Sequence, residues 1–255
     1  MTGWIPDVGD AHFLVLMAAG AIAGGFINGL AGFGTALFAL GFWLQILPAP
    51  QAVAIVIVMS VASGLQGAWA VRHSIAAQPG RLMIFLLPAL IGVPLGVQML
   101  SLVSAEQLKL VIAGFLILFG GFFSLRRSLP KITRPLPLID ALVGFSGGIL
   151  GGAASLSGAL PTMWCAMRPW TKQETRAVLQ PFNIIILGLT LGLLALRGVY
   201  DRETLVLIAL ALPLTLLSAQ LGLWVFHRLD DMTFRRVLIG LMFLSGTILA
   251  VRELF

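Results

Sequence analysis

Long apolar runs broken by short polar interruptions set the pattern of the chain. Apolar stretches cover residues 13–30, 52–71, 82–100, 108–123, 178–196, 205–226 and 237–251. Each approaches the roughly 20 residues that an α-helix needs to cross the hydrocarbon of a bilayer. Two further stretches are too short to cross: residues 35–47, about 20 Å as a helix, and 159–168, with Pro161 near its start. Both follow Gly-rich sequence, GLAGFGT at Gly29–Thr35 and GGILGGAASLSG at Gly147–Gly158. Backbone that leaves the helix at membrane depth is tolerated only where protein buries it or a wet cavity receives it. Each short stretch is therefore predicted to be the second arm of a broken or re-entrant hairpin.

Counting these arms gives about ten helical segments. They lie near 12–31, 35–47, 51–71, 81–100 and 107–125, then 137–157, 159–168, 176–196, 204–226 and 233–251. The two sets of five echo one another. GFINGLAG from Gly25 matches GFSGGILG from Gly144, and at a common offset Leu95, Gly96, Gly114, Leu118 and Gly120 fall on Leu221, Gly222, Gly240, Leu244 and Gly246. Leu87-Pro88 likewise falls on Leu212-Pro213, and Arg72 on Arg197. The fold class is an all-α polytopic membrane protein built from two repeats, residues 1–130 and 138–255, joined by the Pro- and Arg-bearing linker 126–137. An odd number of segments per repeat makes the second repeat inverted. Inverted repeats with Gly-broken helices in matching places are the sequence pattern of secondary transporters.

Composition agrees: 59% of the 255 residues are hydrophobic and 10% charged, against about 25% charged in soluble domains. The net charge of +6 sits in the inter-helix loops and is no nucleic-acid footprint. With the N-terminus outside, 12 of the 16 basic residues fall on the cytoplasmic side, Arg72, Arg168, Lys172 and Arg176 among them. Lys109, Arg197, Arg202 and Arg252 fall outside, a positive-inside bias that orients the chain with both termini periplasmic. The segment before Phe13 carries Asp7 and Asp10 and no basic residue, so it is not read as a cleaved signal peptide. The single cysteine, Cys165, excludes an intramolecular disulfide or an all-cysteine metal site, and His12, His73 and His227 are scattered among helix ends.

The chemistry is expected at the two breaks. A helix N-terminus presents backbone N–H groups and partial positive charge, and Thr35, Ser155 and Ser157 are capping candidates there. Gly32 and Gly34 allow close approach to the backbone, and Asn28, Gln180 and Asn183 are amides at membrane depth that line such a site. The substrate-binding set is thus Asn28, Gly32, Gly34, Thr35, Ser155, Ser157, Gln180 and Asn183, with Arg72 and Arg197 as gating candidates at opposite mouths. Ser63, Gln66, Gln98 and Gln220 are further polar positions in the apolar runs. No Asp or Glu lies inside an apolar run, the nearest being Asp140 at a helix start, which disfavours both carboxylate-relayed proton exchange and a cationic substrate. A small anion, bound mid-membrane without a buried Arg or Lys, fits best. A drug/metabolite-type carrier of a neutral or cationic molecule is the alternative. An enzymatic reading fails for want of a mid-membrane histidine to activate Ser155 or Ser157. No cofactor or metal is called for, the sequence names no coupling ion, and an oligomer is compatible with it.

The run GFINGLAGFGTALFALGF, followed by LPAPQAVAIVIVMSVASG, resembles the opening of the sulfite/taurine exporter family, the TauE/SafE type of membrane permease. GGILGGAASLSGALPTMWCAM is similar to the second-half copy of the same motif. The chain departs from the family's fuller glycine run, with Gly32-Phe33-Gly34-Thr35 and Ala153-Ala154-Ser155 at the two bends. The resemblance covers about residues 13–251. It implies a multi-pass carrier of the bacterial inner membrane that moves sulfite, sulfonates or related small anions, often outward.

Overall fold

The computed structural model describes residues 10–77, 79–100 and 132–234, and the isolated positions 107, 114, 117, 236 and 237. The segments expected near 107–125 and 233–251 fall largely outside the described residues, as do 126–131 of the linker and 1–9. The described residues form nine helices: α1 Ala11–Ala31, α2 Thr35–Trp43, α3 Ala49–Ala70, α4 Arg72–Ala77, α5 Pro79–Leu100, α6 Pro137–Ala154, α7 Ala159–Ala166, α8 Lys172–Leu196 and α9 Arg202–Arg228. Six of them, α1, α3, α5, α6, α8 and α9, are long and apolar enough to cross a membrane. The protein is an all-α polytopic membrane protein.

Local chemistry sets the ends. The Asp10 carboxylate caps α1 by accepting from the His12 N–H at 3.0 Å. At the other end Gly32, at φ 83°, turns the chain while its N–H donates to the Asn28 carbonyl at 2.7 Å. That left-handed conformation is one glycine adopts without strain. Helix α2 runs only 9 residues before it ends at Trp43, whose indole N–H donates to the Met17 carbonyl at 3.2 Å and pins the arm back along α1. In the second hairpin α6 ends at Ser155, a non-glycine residue at φ 59°, and α7 runs 8 residues. The break therefore starts at Ser155, before the 157 expected from sequence. Thr171 and Glu174 form a reciprocal capping box that starts α8 at Lys172, a full turn before the expected 176. Asp201 caps α9 through the Thr204 N–H at 2.8 Å.

The first helix of each set of five segments packs on the fourth segment of the other. α1 lies against α9, and α6 against α5. Both pairs are parallel, because Gly25 and Gly29 abut Thr215 and Ala219 in the same order, and Gly144 and Gly148 abut Phe85 and Ala89. A methyl group on Gly29 would lie 1.9 Å from the Ala219 carbonyl oxygen, and one on Gly148 2.1 Å from that of Ala89. These are the glycines matched between GFINGLAG and GFSGGILG, so the sequence echo records one packing solution used twice. At the centre α3 crosses α8 antiparallel, Gly64 facing Ile184 and Gly67 facing Arg176. Antiparallel pairing of the two equivalent third segments is the relation an inverted repeat requires.

Helices α2 and α3 form the interior. Leu37, Leu40, Trp43, Val53, Ile55 and Val56 are buried. The peripheral α5 and α9 turn Leu87, Ile91, Leu95, Leu217 and Leu221 outward, where lipid tails solvate them.

Candidate functional site

The two breaks meet. Phe33, in the turn between α1 and α2, packs its side chain against Gly158 at the start of α7, where any larger residue would collide with it. Around this contact stand three groups of buried polar residues.

The first group surrounds the first break. The Asn28 amide donates to the Thr35 hydroxyl at 2.9 Å, the Ser63 hydroxyl at 2.9 Å and the Ser60 carbonyl at 3.2 Å. Its own carbonyl oxygen is buried without a partner. Thr35 is thus tied by its side chain to α1, and Asn28 ties both to α3. The N-cap of α2 is Gly34, at φ 99° and with no side-chain cap. Gly34 itself packs beside Ile27 and Leu37. The capping role expected of Thr35 is not the one it plays, because it sits one residue inside the helix.

The second group belongs to the second break. The Ser157 hydroxyl bonds to the Asn183 side-chain oxygen on α8. The N-cap of α7 is Gly158, again without a side-chain cap, so neither Ser155 nor Ser157 caps the helix as expected. Ser155 instead closes α6, and its buried hydroxyl has no partner.

The third group joins the halves, and its main member was not in the set read from sequence. Arg176 is 1% exposed, one turn inside α8. Its Nη2 donates to the Gly29 carbonyl at 2.8 Å, Nη1 to that of Leu30 at 3.3 Å, and Nε to Gln180 Oε1 at 3.2 Å. The Gln180 amide continues to the Gly64 carbonyl on α3 at 3.0 Å, and Gly32 sits against both side chains. A helix leaves its last carbonyls without intrahelical partners, and the guanidinium takes up two of them at the negative end of α1. Counting Arg176 as a cytoplasmic loop charge was incorrect, and so was the expectation of no buried Arg. Its signal in sequence was the Thr171–Glu174 capping box, which sets Arg176, Gln180 and Asn183 on one face of the same helix.

Arg168 lies in the turn after α7, as expected, but it is not a free loop charge. It is 5% exposed and pairs with Asp140 at 2.9 Å, while the Trp164 indole donates to the same carboxylate oxygen. Its other terminal nitrogen reaches the linker carbonyls of Arg134 at 2.5 Å and Ile132 at 3.4 Å. Asp140 is the one buried carboxylate among the described residues, and it is neutralised.

The gating candidates lie apart from the breaks. Arg72 is exposed, stacked 4.5 Å over the Trp69 ring and bonded to the Trp69 carbonyl. Arg197 ends α8 and donates to the Val97 carbonyl of α5 at 3.0 Å. Among the described residues no group of three or more His, Cys, Asp or Glu is placed to hold a metal ion.

A cleft opens beside the meeting point of the breaks. Phe33, Thr162, Trp170, Lys172 and Arg176 line it, with Asp231 and Phe234 on the α9 side. It joins the first break to the N-terminal turn of α8.

Comparison with curated proteins gave no match. Comparison with protein families gave one for the sulfite exporter TauE/SafE, over residues 16–249, a span that contains both breaks, both hairpins and every helix contact described above. The chain therefore belongs to the sulfite exporter TauE/SafE family.

Proposed function

We propose that this membrane transporter exports small sulfur oxyanions, sulfite or sulfonates, across the bacterial inner membrane, with both termini periplasmic. The substrate binds between the two breaks, lined by Asn28, Gly32, Gly34, Thr35, Ser155, Ser157, Gln180 and Asn183. The observation that carries this reading is the convergence of the breaks, Phe33 on Gly158, within a bundle whose buried carboxylate is already paired. A site free of uncompensated acid repels no anion and offers a cation no counter-charge. Two short helices that begin without side-chain caps add backbone donors. Each hydrogen bond to a charged acceptor contributes roughly 1.5–3 kcal/mol, so a few of them offset the desolvation of a small oxyanion.

Flux measured in proteoliposomes tests the reading. Preloaded sulfite leaves the vesicles, a short sulfonate competes for the carrier, and an amine of equal size does not. Competition by the amine, with sulfonates and carboxylates inert, would establish the drug/metabolite-type alternative instead.

A further inference from the structure

The cleft between Phe33 and the start of α8 carries two cations, Lys172 and Arg176, and among the described residues neither is in an ion pair with a carboxylate. Lys172 and Arg176 stand one helical turn apart on α8 and both approach the same ring, Phe226 of α9, at 4.9 and 4.4 Å. Like charges at this spacing repel one another. Lys172 Nζ is spent partly on the Phe226 carbonyl at 3.1 Å and on that of Leu229. Of the two carboxylates near α8's first turn, Asp231 accepts from the Lys172 backbone N–H at 3.1 Å, and Glu174 is taken by Arg81 at 3.0 Å. Neither forms an ion pair with Arg176.

Arg176 keeps a second N–H on each terminal nitrogen beyond the bonds to Gly29 and Leu30. Across the cleft stands Thr162 of α7, 2% exposed, whose hydroxyl has no hydrogen-bond partner. A buried hydroxyl without a partner costs free energy, and a rotatable O–H lining the same cleft as two cations suits an anion's oxygen.

We propose that this cleft is the loading site for the oxyanion, held by the Arg176 guanidinium and the Thr162 hydroxyl, with Lys172 adding long-range attraction at its mouth. The proposal rests on the anion-carrier reading above and deepens it. A pyramidal sulfite or a sulfonate head has three oxygens, enough to reach α7 and α8 together. Because Thr162 belongs to one hairpin and Phe33 to the other, an anion seated here touches both breaks, and its passage is coupled to their relative movement.

Thr162→Val tests this without removing any bond the protein makes to itself. Purified protein is titrated with sulfite while its melting temperature is followed, and the same variants are assayed for sulfite efflux. The unliganded Tm of Thr162→Val stays at or above that of the wild type, its sulfite affinity falls about tenfold or more, and Thr162→Ser restores the affinity. Arg176→Lys, which keeps charge and loses the fork, weakens binding at least as much. If Thr162→Val and Arg176→Lys bind and transport sulfite like the wild type, the cleft is not the site and the carrier reading stands. If the wild type neither binds nor moves any sulfur oxyanion, the carrier reading itself falls.

Discussion

Arg176 on α8 donates to the carbonyl oxygen of Gly29 on α1 at 2.8 Å, a bond from one repeat to the last turn of the other. The charge closes a helix that stops inside the protein. Removing it leaves the carbonyls of Gly29 and Leu30 without the donor they have here.

Arg176→Met is therefore expected to destabilise the protein by about 1–3 kcal/mol, roughly 3–10 °C in Tm for a chain of this size. Thermal unfolding in detergent measures it. An unchanged Tm would mean that the carbonyls find other donors and that the guanidinium is not needed for closure.

The matched glycines make a second expectation. Gly29→Ala and Gly148→Ala each force a methyl group against a backbone oxygen of the neighbouring helix, at 1.9 and 2.1 Å. Overpacking of this kind costs about 1–3 kcal/mol, and the two variants should lose similar amounts because they occupy equivalent contacts. Gly188→Ala and Gly192→Ala, which meet nothing within 4 Å, serve as controls and leave Tm within about 1 °C or raise it.

The Asp140–Arg168 pair offers a third. Asp140→Asn leaves Arg168 buried and uncompensated, a loss of roughly 3–5 kcal/mol. It also loosens the hold of Arg168 on the linker carbonyls of Ile132 and Arg134. The double variant Asp140→Leu with Arg168→Met should recover much of that loss, since neither charge is then stranded. Yield of folded protein and Tm read both effects, and a double variant worse than the single would show that the linker contacts matter more than the charge.

Orientation gives a fourth. A cysteine at exposed Thr133 is predicted to resist an impermeant thiol reagent added outside intact cells, and one at exposed Arg202 to react. Native Cys165 is buried and leaves the background low. The reverse labelling pattern would invert the assignment of sides.

Much of the architecture was legible because it follows from length and spacing. Apolar runs of bilayer length, glycines at matched positions and arms too short to cross pointed to the helices of the described residues and the two breaks to within a few residues. The first break's polar cluster was legible too, since Asn28 and Thr35 are conspicuous in apolar sequence and do bond to one another. What escaped was partnership across the repeats. Arg176 and Arg168 look like flanking charges from their neighbours in sequence, and only the fold brings Gly29 to one and Asp140 to the other. The hydroxyls fared similarly: Ser157 bonds to Asn183 of α8, while Gly158 takes the start of α7.

The exchange of first helices has a consequence for how the chain is made. Helix α5 is already made when its partner α6 emerges. Helix α1 is synthesised first, yet its partner α9 is the last of the nine to leave the ribosome. Until then Gly25 and Gly29 lack the backbone of Thr215 and Ala219 that they pack on, and the end of α1 waits for Arg176. The order of synthesis thus sets what a shortened chain exposes: one truncated before Arg202 keeps the Trp43 and Arg176 bonds to α1 but leaves Gly25 and Gly29 without the α9 backbone they pack on.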